Sequence, residues 1–116
     1  MPASIYNIIC EQGATLERNL TFRDGNGLLV NLTGFSAQMQ VRPTVTSSTV
    51  TLELSTLNNR IVLGGQAGTI TLNVPATTTA TLAPGDFVYD LELTSPNGVV
   101  RRLVEGKFKV KPEVTR

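Results

Sequence analysis

The sequence predicts an all-β fold: an antiparallel β-sandwich of eight or nine short strands. Three observations carry this. Apolar residues recur at every second position in most segments, no long segment keeps a helical period, and turn-forming residues punctuate the chain at short intervals. Successive strand side chains point to opposite faces, so each such segment has one wet and one dry face. Two sheets bury their dry faces by packing together. A small barrel is the other arrangement open to the same strands. At 116 residues the chain fits a single domain spanning residues 1–116, long enough to bury a core without staples.

The elements follow in chain order. In Ser4–Cys10, Ile5 and Ile9 lie on one face and Tyr6, Ile8 and Cys10 on the other. Both faces are apolar, so this strand either lies inside the sandwich or offers a face to a protein partner. Asp24-Gly25-Asn26-Gly27 then separates a run ending at Phe22 from the Leu28–Leu32 run. Phe35, Ala37, Met39 and Val41 alternate with polar residues up to Pro43, and Val50, Leu52 and Leu54 do the same. Gly64 to Gly68 turns the chain from Arg60–Leu63 into Ile70, Leu72 and Val74, and Pro75 ends that run because proline cannot donate to a ladder. Ala76–Leu82 is the one non-β segment, a short helical turn or a crossover between sheets. Phe87, Tyr89, Leu91 and Leu93 form the next dry face. Pro96-Asn97-Gly98 turns the chain into the closing strand with Phe108 and Val110 inward. The segment from Leu82 through Asp86 to Tyr89 resembles the corner at which an immunoglobulin-like sandwich enters a late strand, without the cysteine that follows there.

Composition narrows the function classes. Net charge is +1 and charged residues make up 16%, with no basic stripe interleaved with aromatics, so nucleic-acid binding is not expected. No apolar run approaches the ~20 residues of a membrane helix. Met1–Cys10 has neither a basic nor a long apolar region, so no secretory signal is expected, and the single Cys10 fits folding in a reducing cytoplasm. The sequons Asn19-Leu20-Thr21 and Asn31-Leu32-Thr33 read as ordinary β-rich sequence.

The inventory for chemistry is thin. The chain has no histidine and one cysteine, which removes the common catalytic triads and zinc sites; no enzyme activity, metal or cofactor is expected. Asp24–Gly27 begins like a calcium loop but has Leu28 at the next ligand position and no distal glutamate. Gly64–Gly68 lacks the Lys-Ser/Thr of a phosphate loop. Asp90 and Glu92 share a strand face, as paired glycosidase carboxylates do, yet there is no tryptophan platform for a sugar. Arg101, Arg102, Lys107, Lys109 and Lys111 form a basic patch, read as a solvated sheet edge or a dock for an acidic partner. Tyr6 and Ile8 are the candidate partner-binding residues.

Two long stretches carry a family resemblance. Ile8–Thr44 joins an opening strand to Gln-Gly-Ala-Thr, an aromatic with Arg-Asp, a glycine turn, Asn-Leu-Thr-Gly and a strand ending in Arg-Pro. Gly68–Arg116 adds Gly85, Phe87–Leu91, a turn, Arg-Leu-Val-Glu-Gly and a closing Pro-Glu-Val-Thr. This pattern is similar to small virion structural proteins of tailed bacteriophages, and to N-terminal β-sandwich domains of baseplate proteins that hold tail fibres. The resemblance implies a non-enzymatic adaptor of the tail or baseplate, made in the bacterial host cytoplasm. Its partners would be other phage structural proteins, baseplate, tail-fibre or capsid, and it would form a homo-oligomer within the particle. It implies no catalytic residue and no cofactor. A capsid decoration protein is the structural alternative; a glycan-degrading module and a host-surface binding module are the alternatives of other classes.

Overall fold

The computed structural model describes residues 4–114, so the outermost residues of the expected 1–116 domain lie outside it. Among the described residues there are nine strands: β1 (Ser4–Ile5), β2 (Ile8–Glu11), β3 (Leu16–Thr21), β4 (Ser36–Arg42), β5 (Leu52–Ser55), β6 (Ile61–Leu63), β7 (Thr69–Val74), β8 (Gly85–Thr94) and β9 (Val100–Lys111). They form a two-sheet sandwich. One sheet runs β1-β9-β8-β4-β5, with β2 also on β9; the other runs β3-β7-β6. The second sheet has the B-E-D order of an immunoglobulin-like sandwich, and β9-β8-β4-β5 has the order G-F-C-C′.

The dry faces read from the sequence meet between the sheets. Met39, Val41, Leu54, Leu91 and Phe108 of the larger sheet are buried, as are Ile70, Leu72 and Val74 of the smaller. One pairing departs from the antiparallel expectation. β1 and β2 run parallel to β9, with Ile8 opposite Phe108 and Cys10 opposite Val110. Some ninety residues separate these strands in the chain, so no hairpin turn dictates their direction.

Two local expectations need correction. Val50 lies outside a strand and is exposed, because the chain enters β5 only at Leu52. Leu28–Leu32 forms no strand beyond the single bridge Arg23–Leu29; its last residue, Leu32, drops into the core while Leu28 and Leu29 stay exposed. Tyr89, in the middle of β8, donates its hydroxyl to the Tyr6 carbonyl on the first-strand segment.

The crossover between sheets is the short helix α1 (Ala76–Thr79). Thr79 is fully buried and ties α1 to the turn after β2: its Oγ1 donates to Ala14 O at 2.8 Å and accepts from Gly13 N at 3.1 Å. The closing hairpin β8–β9 is the longest element, turned by Ser95–Val99, with a bulge at Leu91/Glu92 that places Arg101 opposite Leu93. β9 thus carries β8 on one side and the first strands on the other.

Candidate protein-binding surface

The first strand is divided by its own alternation. Ile8 and Cys10 point inward and are 1% and 0% exposed, whereas Ile5 and Ile9 point outward at 71% and 51%. Ile8 is therefore a core residue and offers nothing to a partner; of the pair Tyr6 and Ile8, only the half-buried Tyr6 reaches the surface. The period separated the faces correctly, but packing on β9 turned the Tyr6–Cys10 face inward. The outward face, Ile5 and Ile9, is the apolar surface left for contact.

Between β1 and β2 the strand pairing with β9 lapses at Tyr6–Asn7 without a change of register, and three hydrogen bonds hold this stretch. Tyr6 N donates to Glu105 O at 2.9 Å, Lys107 N donates to Asn7 Oδ1 at 2.9 Å, and Tyr89 Oη donates to Tyr6 O. Gly106 lies beneath: a Cβ there would come within 2.5 Å of Tyr6 O. Burial, and then the neighbouring Tyr6 phenol, push the Tyr89 hydroxyl's pKa up, which keeps it a donor.

Burial likewise pushes the Cys10 thiol up, outweighing the nearby Arg18 guanidinium. Thiol reagents are expected to leave Cys10 unmodified in the native protein and to label it fully in denaturant. Rapid labelling under native conditions would show that β2 is not packed as described.

Sequence reasoning missed Arg18. It shares the inward face of β3 with Leu16 and Leu20, at the rim of the sandwich. Its guanidinium crosses to the other sheet and donates to Ile9 O at 2.9 Å. A charged residue in an apolar register was the available signal. Beyond this clasp the two sheets part, leaving an open groove of about 840 Å³ between β1, the start of β9 and the end of β3.

The other sequence candidates resolve into turns and surface pairs. Asp24 Oδ1 accepts from Asn26 N at 2.9 Å and Leu28 N at 3.0 Å, closing its own turn. Gly65–Ala67 forms a 3-10 turn, and Gly68 at φ +66° approaches Phe22 O and Val30 O too closely for a side chain. Asn31 Oδ1 is engaged by Thr33 N at 3.0 Å. Asp90 lies 3.2 Å from the Arg102 guanidinium, an exposed pair of small energetic weight. Asp90 and Glu92 line a shallow depression of about 480 Å³ in which Asp90, Glu92 and Glu105 stand against Arg42, Arg102 and Lys107. Lys107, Lys109 and Lys111 are exposed on β9, which is interior to its sheet; they form a solvated face and not an edge, with Lys109 opposite Asp86 and Lys111 opposite Glu11. Among the described residues no three His, Cys, Asp or Glu side chains cluster as metal ligands do.

On the same outer face, hydrogen bonds from Gln38 Nε2 at 2.6 Å and Gln40 Nε2 at 3.2 Å hold the Glu53 carboxyl below the ordinary glutamate range. A depressed folded-state pKa gives stability that is present above the unfolded value and lost as pH falls through the folded one. An NMR titration is therefore expected to find Glu53 ionising below a free glutamate, and Glu53→Gln should remove that part of the acid sensitivity.

No family model matches the chain, and no curated protein matches it. Solved structures do. CopC from Methylosinus trichosporium OB3b aligns at 16% identity and a TM-score of 0.49, covering 94% of this chain and 89% of that one. An extracellular domain of the voltage-gated sodium channel beta4 subunit aligns at 11% identity and a TM-score of 0.41, covering 98% and 97%. Drosophila OTK extracellular domains 3–5 align at 14% identity and a TM-score of 0.39, covering 90% of this chain and 32% of that one. All three TM-scores lie below 0.5; the fold is established by the strand order itself.

Proposed function

We propose that this chain is a structural protein of a tailed-bacteriophage virion, an adaptor of the tail or baseplate region that anchors tail fibres or neighbouring baseplate subunits. The observation that carries the reading is the first strand, whose outer face exposes Ile5 and Ile9 beside a sheet edge that has no partner among the described residues. An apolar, unpaired edge is a liability in a free protein and an asset in one that is covered on assembly. The resemblance of Ile8–Thr44 and Gly68–Arg116 to phage virion proteins supports the same reading. The mechanism is stoichiometric binding: the sandwich is the rigid body, copies are arranged by the symmetry of the particle, and nothing is turned over. Synthesis and assembly take place in the host cytoplasm, where the buried free thiol of Cys10 needs no partner.

Antibody-gold labelling of purified particles, paired with mass spectrometry of their proteins, tests this. Label at the tail tip or fibre base supports the adaptor. Label spread over the head replaces it with a capsid decoration protein. Particles that lack the protein overturn the structural reading altogether.

A further inference from the structure

The groove beyond the Arg18 clasp differs from the charge-balanced depression on the outer face. Its walls include Ile5, Tyr6, Leu20, Phe22, Val100 and Leu103, with Ile5 and Val100 71% and 56% exposed. It lies between two strands, β1 and β3, that each have a neighbour on one side only among the described residues. Tyr6 directs its N–H to β9. Successive residues of a strand present their backbone groups to opposite sides, so Ile5 directs its own away, toward an incoming chain.

Charge selects the occupant. Three arginines and one glutamate line the groove, a balance of +2. Arg102 is engaged by Asp90 at 3.2 Å and by Glu105 at 3.9 Å. Arg23 and Arg101 are left, and neither has a carboxylate partner among the described residues. Arg23 spans the turn to Gly27 O at 2.9 Å, and Arg101 lies opposite Leu93, on the face of β9 that looks into the groove. The charge-balanced depression on the outer face offers no such bias.

Resting on the structural-protein reading above, we propose that this groove receives a short extended segment of a neighbouring protein, acidic and apolar in alternation, which adds as a strand to the free edge of β1. Backbone pairing gives the attachment, apolar side chains fill the groove over Leu20 and Phe22, and carboxylates meet Arg23 and Arg101. The Arg18 clasp on Ile9 ends the available edge and so sets the register.

The test uses the full chain, isotopically labelled for NMR. It is titrated with a capped synthetic peptide of about six residues, a usual strand length, alternating Val with Glu and Asp, and with its Lys counterpart. The acidic peptide is expected to shift the amides of Ile5, Phe22, Arg101 and Leu103, and the Lys peptide to leave them in place. Arg101→Glu should weaken the acidic peptide about tenfold and reverse the preference. Ile5→Pro removes an edge N–H without touching the β9 ladder, and should abolish binding while the fold is kept. The proposal falls if both peptides bind equally, if neither binds below about 1 mM, or if the shifts map elsewhere. It also falls if the same amides are buried by concentration-dependent self-association, which would make the occupant a second copy. None of these results bears on whether particles contain the protein, so the groove and the virion reading fail separately.

Discussion

Phe108→Ala is expected to leave the protein at the margin of stability. The ring is fully buried, opposite Ile8 on β2 and Phe87 on β8, and makes an edge-to-face contact with Tyr89 at 6.4 Å and 73°. Truncating a buried phenylalanine to alanine costs about 3–5 kcal/mol, of which the aromatic pair supplies about 0.5–1.5. A domain of this size holds about 5–15 kcal/mol in all. Phe108 also sits where β2, β9 and β8 meet, so little nearby backbone is free to collapse into the cavity. In urea unfolding the midpoint should fall steeply with an unchanged slope. Phe108→Leu keeps most of the volume and should lose much less. A Phe108→Ala cost under about 1 kcal/mol would mean that the ring does not fill the inter-sheet space.

How much of this was legible follows from what alternation encodes. Period two identifies which residues share a face, and it placed Met39, Val41, Leu72, Leu91 and Phe108 together on the dry sides, where they are buried. It does not say which face of an isolated strand is dry. Tyr6 and Ile8 were assigned to a partner when Ile8 belongs to the core and Ile5 and Ile9 to the surface. Nor does it encode pairing direction, so the parallel seat of β1 and β2 on β9 had no signature. Leu28–Leu32 misled because an apolar run needs a neighbouring strand to become one, and β3 leaves its partner at Thr69, the first residue of β7, before the Asp24–Gly27 turn. The groove was illegible for a related reason. Its residues come from β1, the end of β3 and the start of β9, and only the bulge at Leu91/Glu92 brings Arg101 onto the face of Leu93. The basic patch visible in the sequence therefore splits, with Arg101 at the groove and Lys107, Lys109 and Lys111 on the solvent face.

Gly106→Val should detach the first strand while the rest of the sandwich stays folded. Gly106 pairs with Tyr89 in the centre of the β8–β9 ladder, under the Tyr6–Asn7 stretch. A Cβ there would lie 2.5 Å from Tyr6 O and 2.8 Å from Asn7 Oδ1. The nearer of these is backbone and cannot rotate away. Relief requires the segment to lift from β9, which breaks the bond from Lys107 N to Asn7 Oδ1 and takes the acceptor from the Tyr89 hydroxyl. Such overpacking costs about 1–3 kcal/mol, with about 1–3 more where a buried donor such as Tyr89 is left unpaired. The loss should be local. Hydrogen exchange at the amides of Tyr6, Ile8 and Cys10 should accelerate far more than at Met39 or Leu91, whose strands do not pair with the first strand. Tyr89→Phe in the Gly106→Val background should then add little, because the two changes remove one interaction. Uniform acceleration across both sheets would instead make the first strand an integral part of the cooperative core. Either way, β1 has to stay seated on β9 to present its other edge to a partner. The acidic peptide should accordingly lose its site in Gly106→Val, since β1 is the strand to which it adds.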